Sequence, residues 1–133
     1  MAALAKVIGS VDGRHRPLIR VRFVGRDDDV LAIVDTGFNG QVMMASGDAR
    51  LLGVTLLEDN EEVELGHGKK VDVRLGEVRI EWLDEQHRVS VFVSERPEPT
   101  REGEPVMLLG TKLLSPHLLF VDFDARTVEI ETQ

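Results

Sequence analysis

The chain has no cysteine among its 133 residues, which removes a disulfide framework, a thiolate nucleophile and any cysteine-based zinc site. It has no apolar run long enough to span a membrane. The opening Met1-Ala2-Ala3-Leu4-Ala5-Lys6 lacks the apolar core of a signal peptide and is interrupted by Lys6. A reduced, intracellular and specifically cytoplasmic setting is therefore expected. Basic residues are few: 16 Lys and Arg against 24 Asp and Glu leave a formal net charge of -8, which argues against sequence-independent nucleic-acid binding. Aromatic residues are sparse at 5%, so Trp82 and Phe92 are expected in the core or at a dimer contact. Proline is concentrated at Pro97, Pro99 and Pro105, where Gly103 and several charges mark a loop. No internal repeat or low-complexity segment is present, and a single domain over residues 1–133 is expected.

What the chain does have is strand signals. Ile19, Val21 and Phe23 alternate with Arg20 and Arg22, the pattern of a half-buried strand. Asp12-Gly13 reads as a hairpin turn before it. The three aspartates Asp27, Asp28 and Asp29 lack the spacing of a calcium loop and read as a solvated turn. Gln41–Ala45 is a further strand. Ser46 reads as the N-cap of a short helix ending at Gly53. Glu62–Leu65 and Lys69–Leu75 alternate on either side of Gly66-His67-Gly68, predicting a long exposed hairpin. Gly76 reads as the next turn and Asp84-Glu85 as the one after it. Thr111–Leu114 reads as a helical turn. Leu118–Asp122 and Thr127–Glu131 form a closing hairpin. The fold class expected is all-β, mainly antiparallel, with one or two short helices.

The stretch Ala32-Ile33-Val34-Asp35-Thr36-Gly37-Phe38-Asn39-Gly40 carries the chemistry. A β-branched apolar approach ends at a carboxylate followed by residues that allow tight turns. An acid in that position is costly unless hydrogen-bonded, paired or put to chemical use. A capping Asp in a polar loop, helped by Thr36, is the other reading, and these residues alone leave both open. His15, His87 and His117 are scattered without metal-ligand spacing, and Ser94 and Ser115 have no base motif beside them. No metal and no cofactor are expected.

Apolar-apolar-Asp-Thr-Gly at Ile33–Gly37, the Gly-tipped hairpin at Gly66–Gly68 and Leu108-Leu109-Gly110 followed by Leu113-Leu114 occur in that order. Together they resemble the retropepsin-like (clan AA) aspartic proteases, the single-domain homodimeric relatives of pepsin, over roughly Leu18 to Ile130. The Phe38 continuation is similar to a bacterial and archaeal branch marked by Asp-Thr-Gly-Phe. The resemblance implies a retropepsin-like fold and a homodimeric aspartic endopeptidase acting on peptide or protein substrates, with no nucleic-acid or membrane partner. It implies Asp35 of each chain as the catalytic dyad and Thr36, Gly37 and Phe38 as the loop around it. Gly66, His67 and Gly68 become a flap over the substrate; Leu108, Leu109 and Gly110 become packing behind the Asp35 loop. The terminal segments Met1–Ile8 and Thr127–Gln133 become candidates for a sheet between subunits. Most characterised members of the family carry Ala or Ser where Phe38 stands. A ring there has three courses open: narrowing the cleft, desolvating the carboxylate, or packing inward. The alternatives are a catalytically silent dimer module for peptide binding or assembly, and an unrelated small barrel whose Asp-Thr-Gly is a turn.

Overall fold

Residues 4–64 and 67–133 are described by the computed structural model. Ten strands and two short helices follow in the order β1 (Lys6–Val11), β2 (Pro17–Phe23), β3 (Asp29–Val34), β4 (Val42–Ala45), α1 (Ser46–Leu51), β5 (Thr55–Glu64), β6 (Lys70–Trp82), β7 (Glu85–Ser94), β8 (Met107–Leu109), α2 (Thr111–Leu114), β9 (Leu118–Asp122) and β10 (Thr127–Glu131). They form one sheet in the order β5-β6-β7-β4-β8-β3-β2-β1-β10-β9, and a further pairing of β6 with β2 closes the middle of it on itself. The closed circuit β2-β3-β8-β4-β7-β6 is a small barrel, which leaves no unpaired edge within it. β5 extends from one side, and β1, β10 and β9 from the other.

The alternation in β2 does what its residues dictate: Ile19, Val21 and Phe23 are buried while Arg20 and Arg22 face out. The barrel interior is completed by Ala32, Val34, Val42, Met44, Ile80, Trp82, Val89, Val91, Val93, Met107 and Leu109. Each fully buried aliphatic or Phe side chain contributes about 1.5–3 kcal/mol. An exposed pair such as Lys6–Glu129, at 3.5 Å with both side chains largely in solvent, contributes about 0–1 kcal/mol. The barrel is therefore held by its core rather than by surface charge.

Not every turn follows the reading of the sequence. The β1–β2 connection does turn at Asp12-Gly13, with Gly13 and Arg14 at its centre and the His15 N–H donating to the Asp12 carbonyl at 3.0 Å. Asp12 Oδ1 accepts the N–H groups of Arg14 and Arg16 at 3.0 and 2.9 Å, and His15 takes the left-handed backbone at φ 62. The Arg16 N–H, then its guanidinium, hold the Asp12 carboxyl below its ordinary value. Gly76 is no turn: β6 runs through it, because a Cβ there would meet Val54 Cγ1 at 2.8 Å and the Thr55 carbonyl oxygen at 3.0 Å. Glycine at this point admits β5 alongside β6. The β6–β7 turn is made by Leu83 and Asp84, at φ 49 and 66, one residue earlier than expected and with the double positive φ of a type I′ hairpin. Ser46 does not cap α1. The N-cap is Ala45, with no side-chain cap, and Ser46 Oγ instead accepts the Arg96 N–H at 3.1 Å.

That contact belongs to the clamp that holds the proline-rich loop. Asp48, in the first turn of α1, is 4% exposed. Its carboxylate accepts the Thr100 N–H at 2.7 Å and the Thr100 hydroxyl at 2.6 Å, and it lies 3.5 Å from the Arg96 guanidinium. A buried carboxylate is tolerated because donors surround it. Asp48→Ala is expected to cost about 2–4 kcal/mol, since charge-assisted bonds are lost and the Thr100 N–H is left without its acceptor. Urea denaturation reads the loss, and limited proteolysis between Glu95 and Pro105 reads the release of the loop.

The terminal strands pair within the chain. β1 and β10 are antiparallel neighbours, Lys6 opposite Glu131 through Ser10 opposite Thr127, and β10 in turn pairs with β9. Val7, Val128 and Ile130 pack on the barrel core of the same chain. Residues 1–3 lie outside the described part. Among the described residues no helix is long and apolar enough to cross a membrane.

Candidate active site

β8 is the strand on which the site is built. It lies between β3 and β4, parallel to the first and antiparallel to the second: Val34 pairs with Leu109, and Leu109 with Val42. The Asp35-Thr36-Gly37 loop is therefore the bridge between two strands separated by a third. The Asp35 N–H donates to the Leu109 carbonyl at 2.9 Å, extending the ladder by one residue beyond β3. The chain then turns. Asp35 Oδ1 accepts the Gly37 N–H at 2.9 Å, an Asx turn, and the Asp35 carbonyl accepts the Phe38 N–H at 3.2 Å.

The residues after β8 lock this loop from behind. The Phe38 carbonyl accepts the Thr111 N–H at 2.8 Å and the Thr111 hydroxyl at 3.3 Å. The Gln41 carbonyl accepts the Gly110 N–H at 3.0 Å, and the Gly40 carbonyl accepts the Lys112 N–H at 3.2 Å. Each such bond contributes about 0.5–1.5 kcal/mol net, and together they fix the carboxylate's backbone without touching its second oxygen. Asp35 is half-buried, while Thr36 and Gly37 are exposed. Among the described residues, Asp35 Oδ2 and the Thr36 hydroxyl have no hydrogen-bond partner. The arrangement presents a held carboxylate with one oxygen available to solvent, substrate or another subunit.

Of the three courses open to Phe38, the ring takes the inward one. Phe38 is 4% exposed and packs edge-on against Phe92, with ring centroids 5.7 Å apart and planes at 69°. With Met43 and Val73 it forms a second apolar cluster, flanked by the half-buried Val63, Val71, Phe92 and Leu108. Val63 and Val71 are cross-strand partners on β5 and β6. The cluster thus joins the Asp35 loop to the hairpin.

At the hairpin's end, Gly66 lies outside the described residues, as does Leu65. His67 and Gly68 are exposed turn residues, Gly68 at φ 82, and His67 Nδ1 accepts the Lys69 N–H at 3.3 Å. Leu108 and Leu109 lie in β8, and Gly110 follows them at the start of α2. Thr111, Gly40, Met43 and Phe92 are additional parts of the site. The hydroxyl directly after Leu-Leu-Gly and the second glycine after Asp-Thr-Gly were the signals available for the first two. Nothing in the sequence pointed Met43 or Phe92 toward Phe38.

Among solved structures, the chain is similar to a retropepsin-like aspartic protease from Rickettsia conorii. The superposition covers 99% of this chain and 94% of that one, with a TM-score of 0.59 and 14% sequence identity. The fold is retropepsin-like. No protein-family model matches the sequence, and no curated protein matches it. The shared retropepsin-like features are of architecture: a barrel core, strands in great excess over helix, and near-complete coverage of both chains.

Proposed function

We propose that this chain is an aspartic endopeptidase that acts as a homodimer, with Asp35 of each subunit forming the catalytic pair. The observation that carries the reading is the Asp35 loop itself: a carboxylate clamped through its backbone by Leu109, Gly110 and Thr111, steadied at one oxygen by Gly37, and open at the other. One chain supplies one such acid, so a second copy completes the site around a two-fold axis.

Two carboxylates brought that close do not both ionise, and the pair holds one proton between them. The ionised member takes a proton from a water molecule, which attacks the peptide carbonyl carbon. The protonated member donates to the carbonyl oxygen as negative charge develops there. The tetrahedral intermediate then collapses: the departing nitrogen receives a proton from the dyad as the C–N bond breaks, and a hydroxyl of the intermediate returns its proton to the dyad, which again holds one. No bond between enzyme and substrate forms, and no metal or cofactor is required. The exposed Thr36 hydroxyl is placed in this reading against the partner's loop, holding the two carboxylates in register. In this reading His67 and Gly68, at the described end of the hairpin, close over the peptide and exclude water.

The inward packing of Phe38 supports catalysis over the alternative of a silent peptide-binding module, because the ring is directed into the second apolar cluster with Met43 and Val73. A digest of a peptide library by the dimeric protein, from acidic to neutral pH, tests the proposal. Cleavage is expected. Its absence at every pH would transfer the weight to the binding module.

A further inference from the structure

Asp48 is a buried carboxylate that the proposed mechanism does not use, and its partners lie on the loop of residues 95–106 between β7 and β8. Its two oxygens hold one residue at two points: Oδ1 accepts the Thr100 N–H at 2.7 Å and Oδ2 the Thr100 hydroxyl at 2.6 Å. The Arg96 guanidinium donates to the Thr100 hydroxyl oxygen at 3.0 Å and lies 3.5 Å from Oδ2. The Gly47 N–H donates to the Arg96 carbonyl at 2.9 Å, and a Cβ on Gly47 would press on the Pro97 carbonyl. The first turn of α1 therefore grips the loop at Arg96, Pro97 and Thr100. An apolar contact would fix distance alone, whereas paired charge-assisted bonds fix direction as well.

The loop so held borders the face of the barrel that carries the candidate acid. In β3, Ala32 and Val34 are buried, so Ile33 and, two residues on, Asp35 are directed to the outer face. Ile33 pairs with Leu108, which stands half-buried between the buried Met107 and Leu109. A groove of about 280 Å³ is lined by Ile33 and Leu108 of that face and by Arg96, Thr100, Pro105 and Val106 of the loop. The two side chains that Asp48 meets thus line the same groove as the apolar neighbours of the acid. We propose that Asp48 is a positioning residue: it touches no substrate, and through Thr100 and Arg96 it sets the wall of the groove along which a peptide reaches Asp35. The inference rests on the protease reading and extends it to how substrate is held. Such a wall contacts the peptide equally before and at the transition state, so its loss weakens binding rather than chemistry.

The test compares kcat and KM of the wild-type dimer with those of Asp48→Ala, Asp48→Asn and Thr100→Val, on the library peptide that the wild type cleaves best. Asp48→Ala is expected to raise KM by about tenfold while kcat, normalised to the folded fraction, changes by less than about twofold. Asp48→Asn, whose amide oxygen still accepts the Thr100 N–H, and Thr100→Val, which keeps that N–H, are expected to raise KM by less. These two variants also carry the test if Asp48→Ala does not fold. A merely structural role shrinks the folded fraction, which lowers the apparent kcat and leaves KM where it was, so the split separates the two. An unchanged KM in every folded variant overturns the inference and leaves the protease reading intact, as does a fall in kcat alone. Absence of cleavage by the wild type overturns both.

Discussion

Asp35→Asn is expected to lower kcat/KM for peptide cleavage by about 10²–10⁴-fold or more while leaving fold and subunit association unchanged. The amide cannot hold or pass the proton that the dyad needs, yet its size matches the carboxylate. Its oxygen retains the capacity to accept the Gly37 N–H that Oδ1 now accepts at 2.9 Å, so the Asx turn survives. The backbone bond to Leu109 and the turn closed by Phe38 do not involve the side chain at all. With Asp35 only half-buried, the change in stability should stay within about 0.5 kcal/mol. Circular dichroism and the urea midpoint check the second half of the expectation, and the rate on the best library peptide checks the first.

Gly110→Ala is expected to act in the opposite way, destabilising the protein by about 3 kcal/mol or more and disabling the site as a consequence. Gly110 has φ -102 and ψ 177, extended backbone that alanine adopts freely, so conformational freedom is not why glycine stands there. Space is. A Cβ would press on the carbonyl oxygen of Gly40 and stand 2.6 Å from that of Phe38. Those two carbonyls are the acceptors for Lys112 and Thr111, so relief of the clash pulls the clamp off the Asp35 loop. Backbone atoms cannot rotate away as a side-chain end can. Thermal unfolding should fall by on the order of 10 °C. Gly37→Ala is the control, since a Cβ there meets only Asp35 Oδ1 at 3.3 Å, and its unfolding temperature should change far less.

The contrast between these two glycines also shows what was legible in the sequence. They are the glycines of the Asp-Thr-Gly and Leu-Leu-Gly runs, whose order along the chain pointed to the retropepsin-like fold that the structure has. Strand alternation in β2, and the β9–β10 hairpin with its boundaries at Leu118, Asp122, Thr127 and Glu131, followed from periodicity alone. What was illegible depended on residues distant in sequence. Gly76 reads as a turn because glycine usually marks one, and only the approach of Val54 and Thr55 makes it a strand residue. Leu83 at φ 49 is a turn residue that no propensity favours. The direction of the Phe38 ring was open until Gly40, Gly110 and Phe92 were seen to leave room for it. Asp48 stands in the first turn of a short helix, yet its partners are Thr100 and Arg96 on a loop about fifty residues later. The strands nearest the chain ends carry the alternation of an exposed edge, but pairing with each other satisfies it equally well.

The central claim is that each chain contributes one of two acids to a shared site. Wild-type and Asp35→Asn chains, mixed in varying ratio at constant total concentration and allowed to exchange subunits, test it most directly. A shared dyad predicts that activity follows the square of the wild-type fraction, so an equal mixture retains about a quarter of full activity. A linear decline, with about half the activity retained in the equal mixture, would mean that each chain carries a complete site, and the account would be contradicted.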